Sequence, residues 1–128
     1  MTRDIINVQY PTLDHTESVA NIGITKTTVV QANGITIADA FSNKNNSLFI
    51  VIDSTSSASS LLTVKAGDAY PNSMLGKLAV PVEANSTTML QIQDASRFEN
   101  KDGSVNLDFS TDVAGNIYAV AKSVALNV

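Results

Sequence analysis

Ser104-Val-Asn-Leu-Asp-Phe-Ser110 decides the fold class. Val105, Leu107 and Phe109 fall on one side of an extended chain, with Asn106 and Asp108 on the other. Successive side chains of a strand point to opposite faces, so this period of two predicts a strand with one face buried and one in water. Residues 87–93 carry the same signature, with Leu90 and Ile92 set against Gln91 and Gln93. In residues 78–82, Leu78, Val80 and Val82 alternate inward while Pro81 points the other way. A proline lacks the ladder donor, which predicts an edge position for this strand.

Further strands are expected at residues 25–30, 34–38, 47–53, 61–66 and 116–122. The apolar run of residues 47–53 is too short and too β-branched for a helix, and it reads as a central strand covered on both faces. Residues 116–121 read the same way. Asn33-Gly34 is a strong turn pair that readily supplies a positive φ. Ser54-Thr-Ser-Ser-Ala-Ser-Ser60 makes a solvated loop, and Asn100-Lys101-Asp102-Gly103 supplies a tight hairpin turn before residues 104–110. Eight short strands with no convincing amphipathic helix imply an all-β chain: an antiparallel β-sandwich, immunoglobulin-like or jelly-roll-like.

The first 24 residues differ from the rest. Neither a period of two nor one of 3.6 persists among Ile5, Ile6, Val8, Tyr10, Pro11 and the polar run from Asp14 to Ser18. This stretch is expected to be an extended N-terminal arm (residues 1–24), packed on its own domain or held by a neighbouring subunit, with residues 25–128 forming the sandwich. The chain has 128 residues, enough for one ordinary domain, and 36 of them are Val, Ile, Leu or Phe. That is apolar content enough to build a core without disulfides or metal.

Composition narrows the function classes. A net charge of −4, with only 8 Lys and Arg, argues against nucleic acid, which demands a basic stripe. Arg97 and Lys101 flank Glu99 and make a poor phosphate site. No apolar run is long enough to span a bilayer, and the start lacks the apolar core of a signal peptide. Synthesis in the cytoplasm is expected, and the absence of cysteine is compatible with either redox compartment. Nucleophilic catalysis needs a base, and the single histidine, His15, lies in the irregular arm. Zinc would find only that one His or Cys ligand. Asp94, Asn100, Asp102 and Ser104 gather oxygens near one turn without the spacing of a calcium loop, and Asx groups bonding their own backbone explain them more simply. Asp39 and Asp68 read as turn residues too. Glu17, Glu83 and Glu99 are the only glutamates, and Tyr10, Tyr70 and Tyr118 with no Trp offer little platform for sugar. The expectation is a non-enzymatic protein with no cofactor and no metal.

Residues 62–68 (LTVKAGD), 75–82 (LGKLAVPV), 96–109 (SRFENKDGSVNLDF) and 115–121 (GNIYAVA) resemble small structural proteins of tailed bacteriophages. The likeness is to capsid decoration, or head auxiliary, proteins, and covers about the last two thirds of the chain. It implies a virion protein on the capsid surface, made in the host cytoplasm. It further implies a homo-oligomer, with a trimer favoured, that clamps neighbouring subunits of the major capsid protein and stabilises the shell. The family defines no catalytic residues. The arm would supply the partner contacts, through Ile5, Ile6, Val8 and Tyr10, by backbone pairing or apolar anchoring. Another virion component, such as a tail or baseplate β-domain, and a carbohydrate or cell-surface binding module are the alternatives.

Overall fold

The computed structural model describes residues 3–9, 24–41, 48–68, 76–93 and 95–121. These residues form ten strands and one short helix. The strands are β1 (Asp4–Ile6), β2 (Val8–Gln9), β3 (Thr27–Thr28), β4 (Ile35–Ile37), β5 (Leu48–Ser54), β6 (Ser60–Val64), β7 (Leu78–Val82), β8 (Thr87–Ile92), β9 (Val105–Phe109) and β10 (Gly115–Ala121). Helix α1 (Ala95–Phe98) lies between β8 and β9. One sheet has the order β1-β4-β9-β6-β7, and the other β2-β10-β5-β8 with β3 also on β10. The architecture is all-β with two mixed sheets, consistent with a β-sandwich.

The alternations seen in the sequence set the two inner faces. Val105, Leu107 and Phe109 of β9 face inward with Ile35 and Ile37 on one side and Leu62 and Val64 on the other. In the second sheet Leu48, Ile50 and Ile52 of β5 pair with Ala121, Ala119 and Ile117 of β10. All these residues belong to one core cluster. β5 lies between β10 and β8, and Val51, on the face opposite Ile50 and Ile52, is only 2 % exposed. The expected central position is observed, but the outer face is covered only at Val51: Phe49 and Asp53 of β5 are half-buried, as are Asn116, Tyr118 and Val120 of β10. β7 ends its sheet and Pro81 is exposed, as its missing donor requires.

Two expectations change. The turn at residues 100–103 does form, with Gly103 donating to the Asn100 carbonyl at 2.9 Å, but it does not close a hairpin. β8 belongs to one sheet and β9 to the other, so the chain uses α1 and this turn to cross the sandwich. Crossing is the rule here: from β3 to β10, only β6 and β7 are consecutive strands paired with each other. Second, the sheets are mixed rather than purely antiparallel. The cause is the N-terminal segment, where β1 runs parallel to β4 and β2 parallel to β10. Each has two or three residues, and the chain changes sheets between them at Asn7. A stretch that short cannot display a sustained period, which is why the sequence pattern did not mark it as strand.

Candidate interaction surface

The N-terminal edge is held by contacts between residues distant in sequence. Arg3 reaches across the start of β4, donating from Nη1 to the Leu107 carbonyl at 2.8 Å and pairing through Nη2 with Asp108 Oδ1 at 2.6 Å. Gly34 makes that passage possible. A Cβ at position 34 would fall on the Arg3 guanidinium, and φ of 69° places the residue in the left-handed region that glycine tolerates best. Lys65 Nζ approaches the other Asp108 oxygen at 3.7 Å. These groups are all partly exposed, so the ion pairs position the edge more than they stabilise the fold.

Beyond Arg3 the segment is fastened at nearly every step. Asp4 donates its N–H to the Gly34 carbonyl at 3.2 Å, and the Ile6 carbonyl accepts from Ala38 N–H at 3.0 Å. Val8 N–H donates to Asp39 Oδ1 at 2.8 Å. The Gln9 side-chain amide then mimics a strand neighbour for Thr25, giving Nε2 to its carbonyl at 2.7 Å and accepting its N–H at 2.8 Å. Ile6 and Val8 turn inward and are 7 % and 6 % exposed, whereas Ile5 is 66 % exposed.

The expected contact set is thus divided. Ile6 and Val8 belong to the chain's own core, Ile5 points outward, and Tyr10 lies outside the described residues. Ile5 stands between two grooves. One, of about 330 Å³, runs past Asn7, Gln9, Thr27 and Tyr118. The other, of about 700 Å³, runs over the outer face of the first sheet past Thr36, Asn106, Lys101 and Asp68. No family model, curated protein or solved structure matches the chain.

The polar candidates at the turn bond to nearby backbone and to one another. Asp102 Oδ1 accepts from Ser104 Oγ at 2.6 Å and from Ser104 N–H at 3.1 Å. Asn100 Oδ1 accepts from Asp68 N–H at 3.1 Å, and Asp68 Oδ1 accepts from Lys101 N–H at 3.0 Å. Asp102 thus makes the local Asx arrangement expected of a turn residue, whereas Asn100 and Asp68 tie the chain after β6 to this turn across more than thirty positions. Arg97 donates to the carbonyls of Gly76 and Lys77 at 2.7 and 2.9 Å and lies over the Phe98 ring, tying α1 to the entrance of β7. Among the described residues no group of three His, Cys, Asp or Glu side chains is placed to hold a metal ion. His15, Glu17, Tyr70 and Asp94 lie outside the described residues.

On the opposite sheet, Asp53 accepts from Thr87 Oγ1 at 2.6 Å and from Lys26 Nζ at 2.9 Å, while Lys26 also sits over the Tyr118 ring. The Thr87 hydroxyl first, and then Lys26, hold the Asp53 carboxyl below the ordinary aspartate range. The Ser104 hydroxyl and then its N–H do the same for Asp102. The hydrogen bond to Asp53, with its charge, raises Lys26 above the ordinary lysine value. A carboxyl whose folded pKa is depressed contributes stability above its unfolded value and loses it as pH falls through the folded one. Lys26 contributes below the ordinary lysine value and loses its share as pH rises through the folded value. The acid loss therefore lies below about pH 4. Asp53→Asn is expected to make the fall of melting temperature in that range shallower. Thermal melts across the acid limb check this, and an unchanged slope contradicts it.

The sequence had pointed to Ile5, but not to the residues that hold it in place. Arg3, Gly34, Asp39 and Gln9 each serve through a contact distant in sequence. Only Gly34 and Asp39 carried a signal, both as turn residues.

Proposed function

We propose that this protein is a structural virion component that binds the outer surface of a phage capsid and clamps neighbouring major capsid subunits, without enzymatic activity or cofactor. The proposed assembly is a homotrimer located on the virion surface. The likeness noted above rests largely on text that falls in β6, β7, β9 and β10. Strands β3-β10-β5-β8 facing β4-β9-β6-β7 have an order we read as a jelly roll, an architecture used by viral shell and lectin domains. Fold by itself does not assign a function; the surface is what can carry one.

The observation that carries the reading is Ile5, an exposed apolar side chain on a backbone fastened at both ends and flanked by grooves. An edge so fastened loses little conformational freedom on docking, which favours binding. Weak single contacts multiply when three copies bind together.

Removing the whole arm is a poor test, because it also takes Ile6 and Val8 from the core. Ile5→Glu is the cleaner variant. Its folding stability should stay within about 0.5 kcal/mol of the parent, as for other exposed positions. Its co-sedimentation with expanded phage shells should fall by about tenfold or more, as for loss of an apolar anchor repeated over an oligomer. Equal binding of parent and variant would overturn the assignment of Ile5, and failure of the parent to bind would overturn the capsid reading. Light scattering that gives a trimer supports the assembly. Ring or tube formation supports a tail or baseplate component instead.

The larger groove favours one other reading, a carbohydrate or cell-surface binding module. Thr36, Asn106 and Lys101 place hydrogen-bonding groups beside Ile5 there. Glycan binding that survives Ile5→Glu would support this second reading over the first.

A further inference from the structure

The turn beneath the N-terminal strand holds the chain's single Asn-Gly pair, Asn33-Gly34. We infer that Asn33 is a site of spontaneous deamidation whose product releases β1 from β4. The inference does not depend on the capsid reading.

The chemistry needs a backbone nitrogen that can reach the preceding side chain. Glycine offers no Cβ to hinder the approach, and asparagine is among the thermolabile residues. The Gly34 amide nitrogen, after losing its proton to water or hydroxide, attacks Cγ of Asn33. The new N–Cγ bond closes a five-membered imide, the Cγ–Nδ2 bond breaks, and the side-chain nitrogen leaves as ammonia. Water then opens the imide. Opening at Cγ restores the original backbone with an aspartate at position 33. Opening at the main-chain carbonyl leaves an isoaspartyl linkage, whose backbone is longer by one methylene. The net change is an amide and water converted to a carboxylic acid and ammonia.

Other asparagines are less suited. Asn7, Asn85, Asn100, Asn106 and Asn116 precede Val8, Ser86, Lys101, Leu107 and Ile117, all of which carry side chains. Asp102-Gly103 is open to the related cyclisation, but its carboxylate accepts two hydrogen bonds from Ser104. Asn33 lies in a turn and is half-buried, so water reaches it.

The position makes the change consequential. Asn33 Nδ2 donates to Asp4 Oδ1 at 3.2 Å, and the neighbouring Gly34 carbonyl accepts the Asp4 N–H. Deamidation replaces that donor with a carboxylate facing another carboxylate, and like charges set opposite each other repel. Arg3, whose guanidinium lies beside Gly34, is already paired with Asp108 and the Leu107 carbonyl. The isoaspartyl product also displaces Gly34, against which Arg3 packs. Both products thus act on the contacts that hold residues 3–6.

The test ages the purified full chain at mildly alkaline pH and follows each asparagine by peptide mass spectrometry. A gain of one mass unit at Asn33, ahead of the other asparagines named above, supports the inference. No gain at Asn33 while another of them reacts overturns it. Hydrogen exchange on unaged variants tests the consequence separately. Asn33→Asp should lose amide protection at residues 4–6 several-fold while the centre of β10 keeps its own. Asn33→Gln, which keeps a neutral amide, should resist the mass change. Unaltered protection at residues 4–6 in Asn33→Asp would overturn the link to β1.

Discussion

Gly115→Ala is expected to destabilise the protein by more than about 3 kcal/mol, a large share of the total stability of such a domain. Gly115 opens β10 and sits opposite Ser54, at the start of the seven-residue ladder between β10 and β5. Its φ of 134° is a conformation that L side chains rarely adopt. An added Cβ would overlap the Asp53 carbonyl oxygen and press on the Ser54 Cα at 3.1 Å. Strain and overlap act together, because the obstructing atoms are backbone and cannot rotate away. β5 cannot retreat either, since β8 pairs along its other side. The Gly115 carbonyl accepts the Val29 N–H at 2.8 Å, so displacing it also loosens the link to β3. Urea unfolding measures the loss. The neighbouring exposed Ala114, changed to serine, should stay within about 0.5 kcal/mol of the parent. An unchanged urea midpoint for Gly115→Ala would contradict the account.

Leu107→Ala should cost about 2–5 kcal/mol, out of a total stability of about 5–15 kcal/mol for a domain of this kind. Leu107 is fully buried in the middle of β9, with Ile35 on one neighbouring strand and Val64 on the other. Strands on both sides prevent the sheet from closing over the missing atoms, so a cavity term adds to the lost transfer energy. Leu107→Met, nearly equal in volume, should cost less than about 1.5 kcal/mol. Leu61→Ala is the matched exposed comparison, since Leu61 lies on the outer face at 44 % exposure and should lose far less. Denaturant midpoints of the three variants rank them. A Leu107→Ala loss no greater than that of Leu61→Ala would contradict the packing described.

The contrast between these positions marks what was legible in advance. Leu107 is recognisable in the sequence as a core residue, because its neighbours Asn106 and Asp108 make the alternation plain. Pro81 likewise announced an edge. Gly115 is different: nothing around it suggests that the Asp53 carbonyl, 62 positions away, needs the space. At the candidate surface, Ile5, Ile6 and Val8 look alike in the sequence, yet the structure sends Ile5 one way and the other two another. Three residues of one strand and two of the next carry too little pattern to tell those faces apart. The turn at residues 100–103 was correctly located, but its partners were not, since turn chemistry reports local dihedral angles and not which sheet the next strand joins.

By itself, the sequence determined that the chain is built of short strands and solvated turns, because side-chain period and turn residues act over only a few positions. It also located most of the core, since burying an apolar face is what gives alternation its meaning. The tertiary structure alone decided that consecutive strands mostly join opposite sheets. It alone decided that β1 and β2 join different sheets, and that Ile5 points outward while Ile6 and Val8 enter the core. These are outcomes of contacts between distant segments, such as Arg3 with Leu107 and Asp108, or Gln9 with Thr25. Their energies depend on where the rest of the chain has packed, and no local window of sequence contains that information.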